Sequence, residues 1–419
     1  MARPSGGVGV AALAAVLLSA PGSSVRSQTV QPAEARTFHE RLLVLDTHLD
    51  TPAQLIRPDW SILDRHSVEA DASQVDYPRM VEGGLDGGFW VIYTPQGPRN
   101  LEAAEVAWHT ALERARLING IVDRHPDTFG LALTADDAEA IAASGRRIVF
   151  LSIENAWPLS ARPEGLQVFH DQGVRLLGLA HFLNNDFADS ATDPAGAEWH
   201  GLSPRGLALV AEANRLGIVL DASHSSDEVF DQLLTVSATP ILLSHSGTRD
   251  VYDHPRNIND ARLRALADQG GVIQINAFGS YLKSLPDTAE RLAALAALRS
   301  RYGPIDALST DRRDAFITDY REINRTYPPA QADFEDFIAH LLHALTIIGP
   351  QHVGIGADWD GGGGVTGMPD ITALPRITER LLAEGYSEAD IESIWSGNTL
   401  RVLRRAEDYA RKQNLSDGS

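Results

Sequence analysis

The chain has 419 residues, 43% of them hydrophobic, and 36 Lys and Arg against 56 Asp and Glu give it a formal net charge of −20. That composition is of the globular-enzyme kind, and its sign repels phosphate backbones and anionic headgroups, which argues against nucleic acid as a partner. With no cysteine in the chain, disulfides, thiolate nucleophiles, zinc fingers, iron–sulfur clusters and a lipid on an N-terminal Cys are excluded, so any metal must bind through His, Asp and Glu.

Arg3, an apolar run from Val8 to Ala20 and small polar residues through Ser27 read as a signal peptide. The run falls short of the ~20 apolar residues that cross a bilayer as a helix. Residues 1–27 are therefore expected to be an export signal, and residues 28–419 a periplasmic or secreted protein without a membrane anchor. The charged stretch from Arg404 to Ser419 offers no hydrophobic tail for a GPI anchor.

Eight short apolar runs follow in order: Leu42 to Asp50, Gly88 to Thr94, Arg147 to Glu154, Val174 to His181, Ile218 to His224, Ile241 to His245, Gly271 to Phe278 and His352 to Asp358. Most are separated by amphipathic stretches of helical length, such as Leu101 to Val122 and Leu202 to Leu216. Strands buried on both faces of a parallel sheet read as near-continuous apolar runs, and IVFLSIE, VRLLGLAH, GIVLDASH and PILLSHS are of that kind. The alternation predicts an α/β protein with helical crossovers, and the number of runs fits a TIM (β/α)8 barrel. A doubly wound open sheet uses the same local pattern.

Between the seventh and eighth runs, residues 279–351 carry helical periodicity in TAERLAALAALRSRYG and DFEDFIAHLLHALTIIG around a charged middle. This predicts a long helical insertion within a single catalytic domain, placed on the functional face or at a subunit interface.

The residues that close the runs carry the chemistry. His48 and Asp50 end the first, Glu154 the third, His181 the fourth, His224 the fifth, His245 the sixth and Asp358 the eighth. Each alone has a bland explanation: a His after an apolar run is commonly a hydrogen-bonded structural residue, and a Glu can cap the next segment. The remaining histidines, among them His39, His66, His109, His125, His170, His340 and His343, lie mostly in helical or charged contexts that read as surface. In a barrel, however, all C-terminal strand ends meet at one mouth, so the seven residues would face one another there. Imidazole and carboxylate ligands without sulfur suit Zn²⁺ first, and then Mn²⁺, Co²⁺ or Fe²⁺. Five or six such ligands exceed the roughly three that one catalytic zinc takes, so two metal ions sharing a carboxylate are expected, an apparatus suited to hydrolysis by a metal-bridging hydroxide. Tyr93 and Asn276 are further candidates for the pocket wall.

Taken together, DTHLD, SIEN, LAHFLNNDFADSATD, LDASHSS, PILLSHSGTR, PRNIND and GIGADWDG resemble the membrane (renal-type) dipeptidase family, in the family's order and across nearly all of residues 28–419. The resemblance implies an amidohydrolase-type TIM barrel with two zinc ions per subunit, a homodimer, and hydrolysis of dipeptides with tolerance for a D-residue at the C-terminal position. It places His48 and Asp50 on one zinc, His224 and His245 on the other, and Glu154 between them. His181 would stabilise the oxyanion, Arg256 would bind the substrate's free carboxylate, and Asp358 would move the proton from water to the leaving amine. Trp359 stands where Phe is commoner in similar sequences, which bears on the pocket near the leaving group. An amidohydrolase acting on N-acyl amino acids or other small amides would use the same two-metal site, and a binding protein without catalysis would need a ligand or proton carrier missing.

Overall fold

In the computed structural model, residues 31–162, 164–303 and 310–417 are described. The segment read as a signal peptide lies outside them.

Eight strands form the barrel: β1 (Leu45–Leu49), β2 (Gly87–Tyr93), β3 (Arg147–Glu154), β4 (Val174–Gly178), β5 (Val219–Asp221), β6 (Leu242–Thr248), β7 (Val272–Ile275) and β8 (Val353–Ile355). They pair in chain order and every pair is parallel. The ladder closes on itself through a single parallel bridge from Leu49 to Trp359, where the Asp50 N–H donates to the Trp359 carbonyl at 2.8 Å. An open doubly wound sheet would leave β1 and β8 as edges. Two short strands sit off this path: Phe129–Leu131 beside β3 and Asn257–Ile258 beside β6. The second explains one departure from the sequence reading, since β6 runs on to Thr248 along it and His245 lies inside the strand rather than at its end.

The crossover helices form where the sequence supplies both an apolar stripe and end signals. In Leu101–Arg124 the buried residues Ala104, Ala107, Trp108, Ala111, Ala115, Ile118 and Ile121 fall on one face, and the Asn100 side chain caps the start by accepting from the Ala103 N–H. Pro204–Leu216 has Ser203 as its cap, Pro at its first position and Gly217 at φ 75° as its stop. Between β7 and β8 come helices Gly279–Leu282, Ala289–Tyr302, Thr310–Thr326 and Phe334–Ile348. The last packs its buried face on β6, β7 and β8 as a barrel crossover does, so the other three make up the excursion.

Two histidines that read as surface are fully buried. His340 accepts the Thr248 N–H at Nδ1 and donates from Nε2 to the Leu282 carbonyl, tying the last insertion helix to the end of β6. His39 donates from Nε2 to the Gly83 carbonyl at 3.0 Å, and its Nδ1 faces the Thr378 hydroxyl at 2.7 Å, which also accepts from the Trp395 indole. Sequence periodicity shows polarity but not partners, and these partners lie far away along the chain.

Burial lowers the His39 pKa from 6.5 to about 4. The unfolded chain therefore binds the extra proton first as pH falls, so the stability owed to neutral His39 is complete above pH ~6.5 and is lost on descending toward pH ~4, by roughly 3 kcal/mol. Replacing His39 with Gln should flatten that part of the profile. Urea midpoints measured for both proteins from pH 7 to 4 check this, and an unchanged slope would show that His39 is not the group responsible.

Candidate metal centre and active site

The mouth of the barrel gathers residues that lie up to three hundred positions apart. His48 is carried by β1 and Asp50 follows it; Glu154 is the last residue of β3 and His245 lies in β6. His181, His224 and Asp358 stand just beyond the ends of β4, β5 and β8. Two of these sit in the left-handed region, His224 at φ 66° and Asp358 at φ 64°, as does Asn155 at φ 73° immediately after Glu154. Such conformations cost of order 1–3 kcal/mol each and persist only where surrounding bonds fix them. Here the Asp358 carbonyl accepts from the Gly361 and Gly363 N–H groups, the His224 carbonyl from the Ala191 N–H, and Asn155 bonds the Thr94 carbonyl and the Asn185 amide.

Glu154 is the hub. Its Oε1 lies 3.1 Å from His224 Nε2, 3.5 Å from His245 Nε2, 3.6 Å from His48 Nε2 and 3.7 Å from His181 Nε2. His48 Nε2 is also 3.3 Å from Asp50 Oδ2, and the Nε2 atoms of His224 and His245 are 2.9 Å apart. All of these residues except the half-buried Asp50 are buried, as are Asp358 and Arg256. Gly361 closes the ring: a Cβ there would stand 2.1 Å from Asp50 Oδ2 and 2.2 Å from Asp358 Oδ1, so only glycine admits this approach.

The ring nitrogens are oriented from behind. Ser244 Oγ donates to Asp221 Oδ2 at 2.5 Å and is 2.8 Å from His245 Nδ1, so it accepts the Nδ1 proton and leaves the Nε2 lone pair facing Glu154. Asp221 also accepts the Ser223 and Ser244 N–H groups. Asp46, which accepts the His48 and Ala357 N–H groups, joins β1 to the loop after β8, and burial pushes its carboxyl up to about 7.

Charge is distributed unevenly. Burial pulls the Glu154 carboxyl upward, but the imidazoles of His181 and His48 facing it, with His224 Nε2 close to the same oxygen, outweigh it and hold the group well below the usual carboxylate range. Burial works against a charged His48, yet Glu154 and Asp50 raise it well above the ordinary value. Burial and Arg256 push His224 and His245 well below theirs, and burial lowers His181. Burial, with Asp50 and Glu154 facing it, lifts the Asp358 carboxyl well above its usual range.

This donor set is that of a cation site. His245 Nε2 and Glu154 Oε1 are both acceptors, and His48 Nε2 is buried without a hydrogen-bond partner. His224 and His245, both pushed toward the neutral form, therefore converge on the carboxylate with at most one proton between their Nε2 atoms, an arrangement that a bound cation relieves. Among the described residues, His48, Glu154 and His245, then Glu154, His181 and His224, and then His48, Asp50 and Asp358 bring their ligand atoms within 4.8 Å of one another. Glu154 is common to two groups. Distance alone would also admit His181 as a ligand, and only the resemblance separates it.

Above the cluster is a cavity of about 290 Å³, lined by Tyr93, His181, Phe182, Phe278, Tyr281, Asp358 and Asp360, among others. That is at the small end of ligand sites. Arg256 is buried, donates from Nη2 to the His245 carbonyl, lays its guanidinium 5.2 Å from the Tyr281 ring centroid, and keeps its Nε free of a partner. Tyr93 lines the wall beside Glu154, its partner in the β2–β3 register. Asn276 does not line it: it is fully buried, and its Oδ1 accepts the Phe278 N–H at 2.5 Å. Trp359 is also fully buried, at the barrel's closing bridge, and so does not shape the cavity directly.

Sequence reasoning missed several wall residues, among them Ala53, Phe182, Phe278, Tyr281 and Asp360. Phe182 and Asp360 adjoin residues already singled out. Phe278 closes the seventh run and Tyr281 lies in the first turn of the insertion, where no periodicity marks which side chains turn inward.

The family described as membrane dipeptidase (Peptidase family M19) matches residues 32–417. Dipeptidase tcpJ of Claviceps purpurea is 30% identical over 361 residues, 85% of this chain and 75% of its own length. The crystal structure of the probable dipeptidase PvdM from Pseudomonas aeruginosa superposes with a TM-score of 0.77 at 28% identity, covering 90% of this chain and 99% of that one. A metallopeptidase from Rhodobacter sphaeroides, solved with a phosphinate mimic of the dipeptide L-Ala-D-Ala, superposes with a TM-score of 0.69 at 26% identity, over 87% of this chain and 99% of that one.

Proposed function

Because the chain belongs to the membrane dipeptidase family, peptidase family M19, we propose that it is an exported dipeptidase with two zinc ions that cleaves small dipeptides and accepts a D-residue at the C-terminal position. The observation that carries this reading is the Glu154 carboxylate with four imidazole Nε2 atoms around it, beside a buried arginine with an unpartnered donor. His48 and Asp50 would hold one ion, His224 and His245 the other, and Glu154 would reach both. When bound, the ions supply positive charge that polarises an amide carbonyl and acidifies water.

The protein's own groups do the rest. Arg256 offers a planar fork to the substrate's free carboxylate, which a lysine could not match. Its buried setting strengthens that contact. His181 is held neutral by burial, and from its place on the cavity wall it donates a hydrogen bond to the oxygen that gains charge as the amide is attacked. Asp358, on the opposite side of the mouth, takes a proton from the attacking water and returns it to the leaving amine. The D-residue tolerance rests on the family resemblance and on the ligand of the Rhodobacter sphaeroides neighbour; export rests on the first 27 residues.

Amino-acid release from L-Ala-L-Ala, L-Ala-D-Ala and N-acetyl-L-Ala-D-Ala, before and after chelation, tests the reading. Cleavage of both free dipeptides that disappears with chelator and returns with zinc is the expected result. Cleavage of the acetylated compound alone would replace it with an amidohydrolase acting on N-acyl substrates at the same site.

A further inference from the structure

A second cavity, about 370 Å³, adjoins the catalytic one, and Phe278 is the one residue that lines both. The loop after β8 completes the partition: Gly361 lines the catalytic side, while Gly362, Gly363 and Gly364 line the other. The Phe278 ring lies against Gly362, where an added Cβ would stand 2.2 Å from Phe278 Cε2. On its other side the ring stacks on Tyr281, with centroids 4.5 Å apart and planes inclined by 25°. Tyr281 in turn lies under the Arg256 guanidinium. The Phe278 backbone is pinned, its N–H donating to Asn276 and its carbonyl accepting from the Tyr281 N–H, whereas its side chain is only half-buried.

From this geometry we infer that Phe278 is the wall that sets the size of the substrate's C-terminal side chain, and that the cavity behind it is a closed-off extension of that subsite. The inference rests on the dipeptidase reading, because Arg256 fixes which end of the substrate faces this wall. A dipeptide whose carboxylate meets Arg256 carries its C-terminal side chain on the Tyr281 and Phe278 side. With the ring in place that side chain must be small. With the ring removed, the catalytic cavity opens into a space larger than itself. The N-terminal side chain, on the far side of the scissile bond, does not meet this wall.

The test compares wild type, Phe278→Ala and the more conservative Phe278→Leu on L-Ala-L-Ala, L-Ala-L-Phe and L-Phe-L-Ala. For Phe278→Ala the kcat/KM ratio of L-Ala-L-Phe to L-Ala-L-Ala should rise at least about tenfold, with Phe278→Leu between, while the ratio of L-Phe-L-Ala to L-Ala-L-Ala stays within about twofold. Calorimetric Kd values for the reduced-amide analogues of the three compounds should show the same order, and they provide the ratio whether or not turnover occurs. If the dipeptides are cleaved and neither ratio moves, or both rise alike, the wall assignment is wrong and the dipeptidase reading stands. If no dipeptide is cleaved by wild type yet the analogues bind with the expected discrimination, the reaction assignment fails and the wall stands.

Discussion

Replacing Glu154 with Gln is expected to abolish turnover, a fall of at least about a thousandfold in kcat/KM, while the far-UV spectrum of the folded barrel is retained. The side chains are nearly the same shape, so packing at the end of β3 is preserved and the change is one of charge and donors. The carboxylate oxygen that four imidazoles surround becomes part of a neutral amide whose NH2 group must then point at some of the same nitrogens. His48 would lose the stronger of the two carboxylate charges that raise its pKa. Zinc content per chain, measured by atomic emission after dialysis, should fall below that of wild type in parallel with activity. A Glu154→Gln protein with full zinc and unchanged turnover would remove Glu154 from the centre of the site.

Arg256→Ala is expected to separate substrates by their C-terminus. A dipeptide with a free carboxylate should lose about a hundredfold or more in kcat/KM, ~3 kcal/mol, whereas the corresponding dipeptide amide should lose far less. Some loss common to both is expected, because Arg256 also bonds the His245 carbonyl and packs on Tyr281. The difference between the two substrates isolates the carboxylate contact from that structural part. Arg256→Lys should recover only a fraction, since a point charge lacks the guanidinium's two parallel donors. Equal losses on acid and amide would leave Arg256 with a structural role only.

Glu154 was legible in the sequence for a geometric reason, whereas Arg256 was marked only by the family resemblance of PRNIND. Parallel barrel strands are buried on both faces, so IVFLSIE and PILLSHS stand out as unbroken apolar runs, and the polar residues that terminate such runs must face the mouth. The walls of the site were less legible. Phe278 and Tyr281 belong to a segment where the chain passes from strand periodicity into the first short helix of the excursion, and their inward orientation depends on Gly362 and Arg256, which are contributed by other loops. His39 and His340 were misread because a polar residue in a helix looks the same whether it faces water or a buried carbonyl. The contacts of His39 with Gly83 and Thr378 and of His340 with Leu282 are long-range, and pattern within a window cannot reveal them.

The closing bridge between Leu49 and Trp359 has a temporal meaning. It is flanked by His48 and Asp50 on one side and by Asp358 on the other, so the first and last strands meet where the chemistry is. A chain emerging N-terminus first can complete β1 through β6, with every imidazole of the cluster, while Asp358 is still absent. The pairing that brings Asp358 in joins Leu49 and Trp359, a long-range contact of the kind that forms slowly. A half-made or half-folded molecule can gather the imidazoles but lacks Asp358, so if Asp358 moves the proton as proposed, peptide cleavage is expected to start only once the barrel has sealed.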